Sequence, residues 1–261
     1  MQLLQRVLKI SVLSSGSKGN ATFVASPTTN ILIDLGTSSL YTEKSLKELE
    51  VDPKEINGII ITHLHTDHIN GLAVFIKKYN TKVYLTQKMF QELILSVNLN
   101  NFEIIQDEFI IGDIFITALK TSHDVTDSNG YIIEYGDKSI VYITDTGYIH
   151  EKYHLKLENR SMYIMESNHD INLLMNGEKP YPTKQRVLGD VGHLSNLDSA
   201  NYLSKFIGKD TKNIVLAHLS EKDNDPEIAL NNLISTLTKN NKEVVNIIVA
   251  KQNIKTEMIE I

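Results

Sequence analysis

Residues 63–68 read His-Leu-His-Thr-Asp-His, directly behind the apolar run Ile59-Ile60-Ile61. Four side chains able to ligate metal crowd one turn at the end of a strand-like segment. Imidazole suits zinc and iron, and a carboxylate widens the choice to manganese. A packed core has no use for three histidines in six residues. The chain has only nine histidines in 261 residues, so chance enrichment of a polar loop explains the turn poorly. Any fold this chain adopts has to bring that turn to the ligands that complete it.

The same layout recurs three times. His123 follows Ile114-Phe115-Ile116-Thr117-Ala118-Leu119, Asp145 follows Ile140-Val141-Tyr142-Ile143, and His218 follows Ile214-Val215-Leu216-Ala217. Each alone reads as an ordinary surface or hydrogen-bonded residue. Repetition of strand-then-ligand behind four apolar runs favours ligands, because loops at strand ends gather polar groups without burying charge in a core.

Periodicity supplies the frame. Strands are predicted at Val7–Leu13, Thr22–Val24, Asn30–Asp34 and Gly58–Thr62, the last continuously apolar and β-branched as in a buried strand. Helices are predicted over 39–49, 69–79 and 87–97, with a strand at Val83–Leu85 between the last two. The middle reads as strands at 109–111, 114–119, 131–135 and 140–144. A strand at 161–165, a helix over 196–207, a strand at 213–217 and a helix from Pro226 to Leu237 follow. Strands at Val244–Val249 and Lys255–Ile261 close the chain. Strands, then αβ, twice over, suggest two similar halves: a sheet-on-sheet core with helices outside, in a single domain over 1–261.

Composition removes several alternatives. There are no cysteines, which excludes disulfides and thiolate metal sites and suits a reducing cytoplasm. Met1–Arg6 lacks the apolar core of a signal peptide, and no run is long enough to span a bilayer. A cytoplasmic protein without membrane contact is expected. The formal charge of −6 gives no general argument for nucleic acid, although a local basic face remains compatible with it. No protein partner can be inferred.

Taken together, His63-x-His65-x-Asp67-His68, His123, Asp145 and His218 resemble the ligand set of the metallo-β-lactamase superfamily. The resemblance spans nearly the whole chain and implies an α+β fold, an αββα four-layer sandwich with two divalent metal ions (zinc or manganese, with iron compatible) on one edge. It also implies a partition, with His63, His65 and His123 on one metal, Asp67, His68 and His218 on the other, and Asp145 bridging. Asp34 resembles the superfamily's early aspartate, a residue that orients ligand imidazoles. Ser14-Ser15-Gly16-Ser17-Lys18-Gly19-Asn20, Glu166-Ser167-Asn168-His169-Asp170, Gly192-His193-Leu194-Ser195-Asn196 and Leu216-Ala217-His218-Leu219-Ser220 narrow it to the YycJ/WalJ-like hydrolases. Forty-eight positions separate Asp145 from His193, which leaves no room for the β-CASP insertion of neighbouring nucleases.

The resemblance implies a phosphodiesterase acting on nucleic acid, DNA in preference to RNA, as a 5′ to 3′ exonuclease. Two cations about 3.5–4 Å apart would hold a bridging hydroxide for in-line attack. Asp67 is expected to orient that water or take its proton. His193 is the candidate general acid, against a bland role at the start of the following helix. Glu166 is its candidate partner, by likeness to the transfer-RNA-processing relatives. Ser15, Lys18, Asn20, Asn168 and His169 are the candidate substrate contacts, with a tight turn and a structural histidine as the plain alternatives. Lys179, Lys184 and Arg186, in a stretch read as irregular, could hold a backbone phosphate or merely be solvated. His150 and His154 read as ordinary surface residues. The competing reading is a hydrolase of a small ester, lactone, thioester or cyclic phosphodiester on the same metals, because one fold hosts many chemistries.

Overall fold

A computed structural model describes residues 7–243 and 246–261. The first sheet contains β1 (Lys9–Ser14), β2 (Ala21–Ala25), β3 (Asn30–Ile33), β4 (Ile56–Ile60), β5 (Val83–Leu85) and β6 (Phe102–Ile104). The second contains β7 (Glu108–Ile111), β8 (Ile114–Lys120), β9 (Asn129–Tyr135), β10 (Lys138–Ile143), β11 (Met162–Glu166), β12 (Asn213–Ala217) and β13 (Asn246–Val249). The last strand, β14 (Ile259–Glu260), returns to the first sheet beside β1. Among the described residues the strand orders are β14-β1-β2-β3-β4-β5-β6 and β13-β12-β11-β10-β9-β8-β7.

Each sheet begins as an antiparallel meander and continues as parallel strands. β1, β2 and β3 are antiparallel, and β3 to β6 are parallel. β7 to β10 are antiparallel, and β10 to β13 are parallel. Parallel neighbours need crossovers, which the chain provides as helices. In the first half these are α1 (Ser39–Glu48), α2 (Thr66–Ile69), α3 (Leu72–Tyr79) and α4 (Gln87–Leu93). In the second they are α5 (His154–Leu157), α6 (Ile171–Asn176), α7 (Tyr181–Leu188), α8 (Asn196–Phe206) and α9 (Pro226–Lys239). The expected pair of similar halves is therefore present.

Three apolar clusters define the four layers. Val12, Ile33, Ile60, Ile116, Tyr131, Ile133, Tyr142, Ile164 and Val215 meet between the sheets. Leu32, Ile59, Leu46, Phe75 and Met89 seal the first sheet against its helices. Tyr163, Leu216, Leu203, Phe206 and Leu233 do the same for the second. Alternation along β4 explains the division: Ile60 faces the other sheet while Ile59 faces α1 and α3. Helix ends follow their sequence signals. Asp225 caps α9 ahead of Pro226, and Ser195 caps α8 by accepting from the Asp198 N–H. No helix among the described residues is long and apolar enough to cross a membrane.

Several expectations need correction. The stretch before His193 is not irregular: α6 and α7 occupy it, and their short turns bury little beyond Leu174 and Val187, which leaves no apolar stripe to read. β6 is equally silent, with two exposed residues among three. The strand expected over 255–261 shrinks to β14. Met1–Arg6 and the first two residues of the strand expected at 244–249 lie outside the described residues.

One hydrogen bond ties the layers together near the ligand turn. The Tyr131 hydroxyl on β9 donates to the Ile61 carbonyl just beyond β4 at 2.6 Å, fully buried. Tyr131→Phe removes the donor from a buried carbonyl and is expected to cost about 1–3 kcal/mol. Urea unfolding followed by circular dichroism measures it, and an unchanged midpoint with an unchanged slope would show that the bond contributes nothing.

Candidate metal centre

The ligand candidates all leave strand ends at one rim of the sandwich. Asp34 follows β3, Thr62 and His63 follow β4, His123 follows β8, Asp145 follows β10, Glu166 ends β11 and His218 follows β12. Ligand sites in α/β sheets form outside the carboxyl ends of parallel strands, and both sheets contribute here. Three of these residues have left-handed backbones: Asp34 at φ 60°, Asp145 at 54° and His218 at 56°. That region is uncommon for residues with a Cβ, though Asp and His visit it more than most. Each reversal turns the chain sharply as it leaves the sheet.

The side chains converge. His63, His65 and His123 present ligand atoms within 4.8 Å of one another, and so do Asp67, His68 and His218, and His63, His68 and Asp145. His65 Nδ1 lies 3.2 Å from His123 Nε2, and Asp145 Oδ2 lies 3.2 Å from His68 Nε2. Among the described residues, the buried atoms His63 Nε2, His218 Nε2 and Asp145 Oδ2 have no hydrogen-bond partner. Orphaned polar atoms of this kind are costly, and they point at common centres. An all-nitrogen-and-oxygen donor set of this type fits divalent first-row cations. Asp145 neighbours both groups, at 3.8 Å from His123 Nε2 on one side.

The opposite ring nitrogens are held from behind. Asp34 Oδ2 accepts from His68 Nδ1 at 2.7 Å and from the Thr62 hydroxyl at 2.7 Å, while its Oδ1 accepts from the Thr62 N–H at 2.8 Å. Glu166 Oε1 accepts from His218 Nδ1 at 2.9 Å and from His193 Nδ1 at 2.7 Å. Its Oε2 accepts the Thr146 and Leu194 N–H groups. Such carboxylates fix the tautomer and direct Nε2 of each ring forward. Sequence reasoning singled out Asp34 but passed over Thr62, whose place between the strand and His63 was the available signal.

Charge follows burial and neighbours. Burial drives His63 well below the usual histidine range, with positive His68 adding to it. Burial also lowers His123. At His68 burial is outweighed by the Asp145 and Asp34 carboxylates, which carry it up to about 10. His218 is likewise raised against burial by Asp145, Asp67 and Glu166. Burial alone would raise Asp145, but His218 and His68 hold its carboxyl well below the usual range. The carboxylates thus stay ionised, and a cation bound here would displace the protons of His68 and His218.

A cleft of about 300 Å³ opens over this cluster, lined by His65, Asp67, His123, Asp145, His193 and His218 together with Ser17, Asn168, Lys179 and Arg186. His193 is partly exposed, and with Nδ1 committed to Glu166 its free nitrogen is Nε2. Glu166 itself is fully buried, so it acts through His193 and His218. Asn168 lines the cleft and donates to the His218 carbonyl. Lys18 is exposed and pairs with Glu221 at 2.6 Å.

Three expected substrate contacts are placed elsewhere. Ser15 is buried and accepts the His218 N–H at 2.7 Å. Asn20 is buried, and its amide lies 3.0 Å from His68 Nε2 and 3.3 Å from Asp67 Oδ2. Their loop therefore braces the ligands and offers those two side chains no surface. His169 is 1% exposed rather than at the mouth. Lys184 spends its ammonium on the Met175 and Gly177 carbonyls, whereas Lys179 and Arg186 face the cleft, paired with Asp223 and Asp124. His150 is exposed and His154 is half-buried, both away from the cluster.

Comparison with known proteins places the chain in a family. A family profile described as the metallo-beta-lactamase superfamily matches residues 15–218. The chain is 35% identical over 238 residues to the exodeoxyribonuclease WalJ of Streptococcus pneumoniae, covering 88% of each. It is 36% identical over 227 residues to the exodeoxyribonuclease YycJ of Bacillus anthracis, covering 85% of this chain and 86% of that one. The crystal structure of the metallo-beta-lactamase fold protein YhfI from Bacillus subtilis superposes with a TM-score of 0.71 at 18% identity, over 96% of this chain and 99% of that one.

The supporting residues are testable apart from the ligands. Asp34→Ala is expected to weaken retention of one of two metal equivalents about 10–100-fold. Gly36→Ala should act on the same turn, because a Cβ there would meet the Asp67 carbonyl oxygen at 1.6 Å. Metal content after dialysis against a graded chelator is the measurement, and wild-type retention in both variants would contradict it.

Proposed function

The chain belongs to the metallo-beta-lactamase superfamily and is a hydrolase, and from that premise we propose that it is a binuclear-metal-dependent exodeoxyribonuclease acting 5′ to 3′. The observation that carries this reading is likeness over nearly nine-tenths of its length to two proteins named exodeoxyribonucleases. The direction rests on family resemblance. His63, His65 and His123 would hold one cation, Asp67, His68 and His218 the other, with Asp145 between them. When bound, two divalent ions supply an acidified water and neutralise the charge of the reacting phosphate.

The remaining steps belong to side chains. Asp67 has about a quarter of its side chain exposed to the cleft, so its carboxylate can take the proton of the attacking water. His193 Nε2 delivers a proton to the departing sugar oxygen, a contribution of about 10²–10⁴-fold. Glu166 holds the imidazole by Nδ1 and leaves Nε2 free for that task. Burial alone would raise this carboxyl, but the His193 charge and the bonds from His193 and His218 take it down to about 2. A carboxylate is therefore present behind His193 throughout the neutral range. Lys179 and Arg186 edge the cleft where strand phosphates would run, and an approaching phosphate competes with Asp223 and Asp124 for them.

Manganese- or zinc-loaded protein given 5′-labelled duplex DNA, single strands, RNA and a nitrophenyl phosphodiester tests the proposal. Labelled mononucleotides should appear first from DNA. Asp67→Ala should abolish release, His193→Ala should cut kcat about 10²–10⁴-fold, and Glu166→Gln should reduce it less. Turnover of the nitrophenyl ester with no release from any strand would move the assignment to a small-ester hydrolase. Label appearing last would reverse the direction.

A further inference from the structure

A second pocket adjoins the metal cleft and has no role in the chemistry above. It measures about 500 Å³ and shares His65 and Asp124 with the cleft as a common wall. Its lining is of two kinds. Leu64, Met89 and Val125 are apolar, with Met89 buried, while Glu92, Asp124 and Asp127 supply carboxylates. No lysine or arginine is among its lining residues. Asp127 is fixed by the Thr86 hydroxyl at 2.6 Å and the Lys120 ammonium at 2.5 Å, and Asp124 is fixed by Arg186.

The two hollows differ in their cations rather than their carboxylates, since Asp67, Asp124 and Asp145 line the cleft as well. Lys179 and Arg186 edge the cleft, and carboxylates edge the pocket. With Asp127 and Asp124 already paired to Lys120 and Arg186 and no cation among the lining residues, the pocket offers a strand phosphate no partner. A neutral planar group with N–H donors on its rim satisfies both kinds of lining. Apolar side chains and a polarisable thioether cover its faces, and carboxylate oxygens accept from its exocyclic amine. A nucleobase attached to the phosphodiester held at the metals is such a group. We propose that this pocket receives the base of one nucleoside flanking the scissile bond, and that its carboxylates favour amine-bearing bases over thymine. The assignment rests on the nuclease reading.

The test uses the metal-loaded full chain and DNA strands carrying an abasic unit at one or the other nucleotide flanking the scissile bond. Loss of one of the two bases is expected to lower kcat/KM about tenfold, and loss of the other to matter little. Val125→Trp fills the pocket and should collapse the ratio between intact and abasic strands to about one. Glu92→Ala, an exposed helix position, should remove the preference of cytosine over thymine, with thermal melting confirming that it folds. Equal cleavage of intact and both abasic strands by the wild type, or undiminished discrimination in both variants, overturns the pocket assignment. Failure of the wild type to release nucleotides from any strand overturns the nuclease reading, and the assignment with it.

Discussion

The Asp34 carboxylate, sealed from solvent and bonded to His68 and Thr62, holds the arrangement on which the rest depends. Burial opposes its ionisation and raises its pKa, although His68 pulls the other way. An unpaired carboxylate in that position would be strongly unfavourable. The His-rich turn is its partner, so the strand carrying Asp34 and the strand carrying His63 cannot separate without exposing a charge. The parallel pairing of β3 with β4 and the placement of the ligands are one constraint seen from two sides.

The second sheet repeats the device with Glu166. One buried carboxylate oxygen accepts from a ligand histidine and from the histidine that edges the cleft. Its other oxygen accepts backbone N–H groups from the segments carrying Asp145 and His193. The orientations of His218 and His193 are thus set by the same group. Any change to Glu166 alters both, which makes effects of neighbouring substitutions non-additive.

Much of this was legible beforehand because it is local. An apolar β-branched run followed by a ligand type marks a strand end, and four occurrences place the site on one rim. Asp34 was readable in the same way. What escaped is what depends on distant segments or lacks a pattern. Ser15 and Asn20 sit in a loop whose small polar residues look like a phosphate cradle, yet these two side chains are buried against chain far away in sequence. His169 sits among polar residues in sequence, Ser167, Asn168 and Asp170, yet is itself buried. Lys184 is absorbed by carbonyls at the end of α6, a helix with too few apolar positions to announce itself. Thr62 carries no charge, and its value comes only from what it touches.

The loop after β1 is closed by Gln252, whose amide donates to the Gly19 carbonyl and whose carbonyl oxygen accepts the Lys18 N–H. More than 230 positions separate these partners. The histidine turn is synthesised well before the glutamine that steadies the loop beneath it. Contacts so distant along the chain form slowly, because so much loop entropy must be surrendered first. The brace for His218 and the His68 neighbourhood is therefore complete only once the segment around Gln252 has closed on the loop around Gly16.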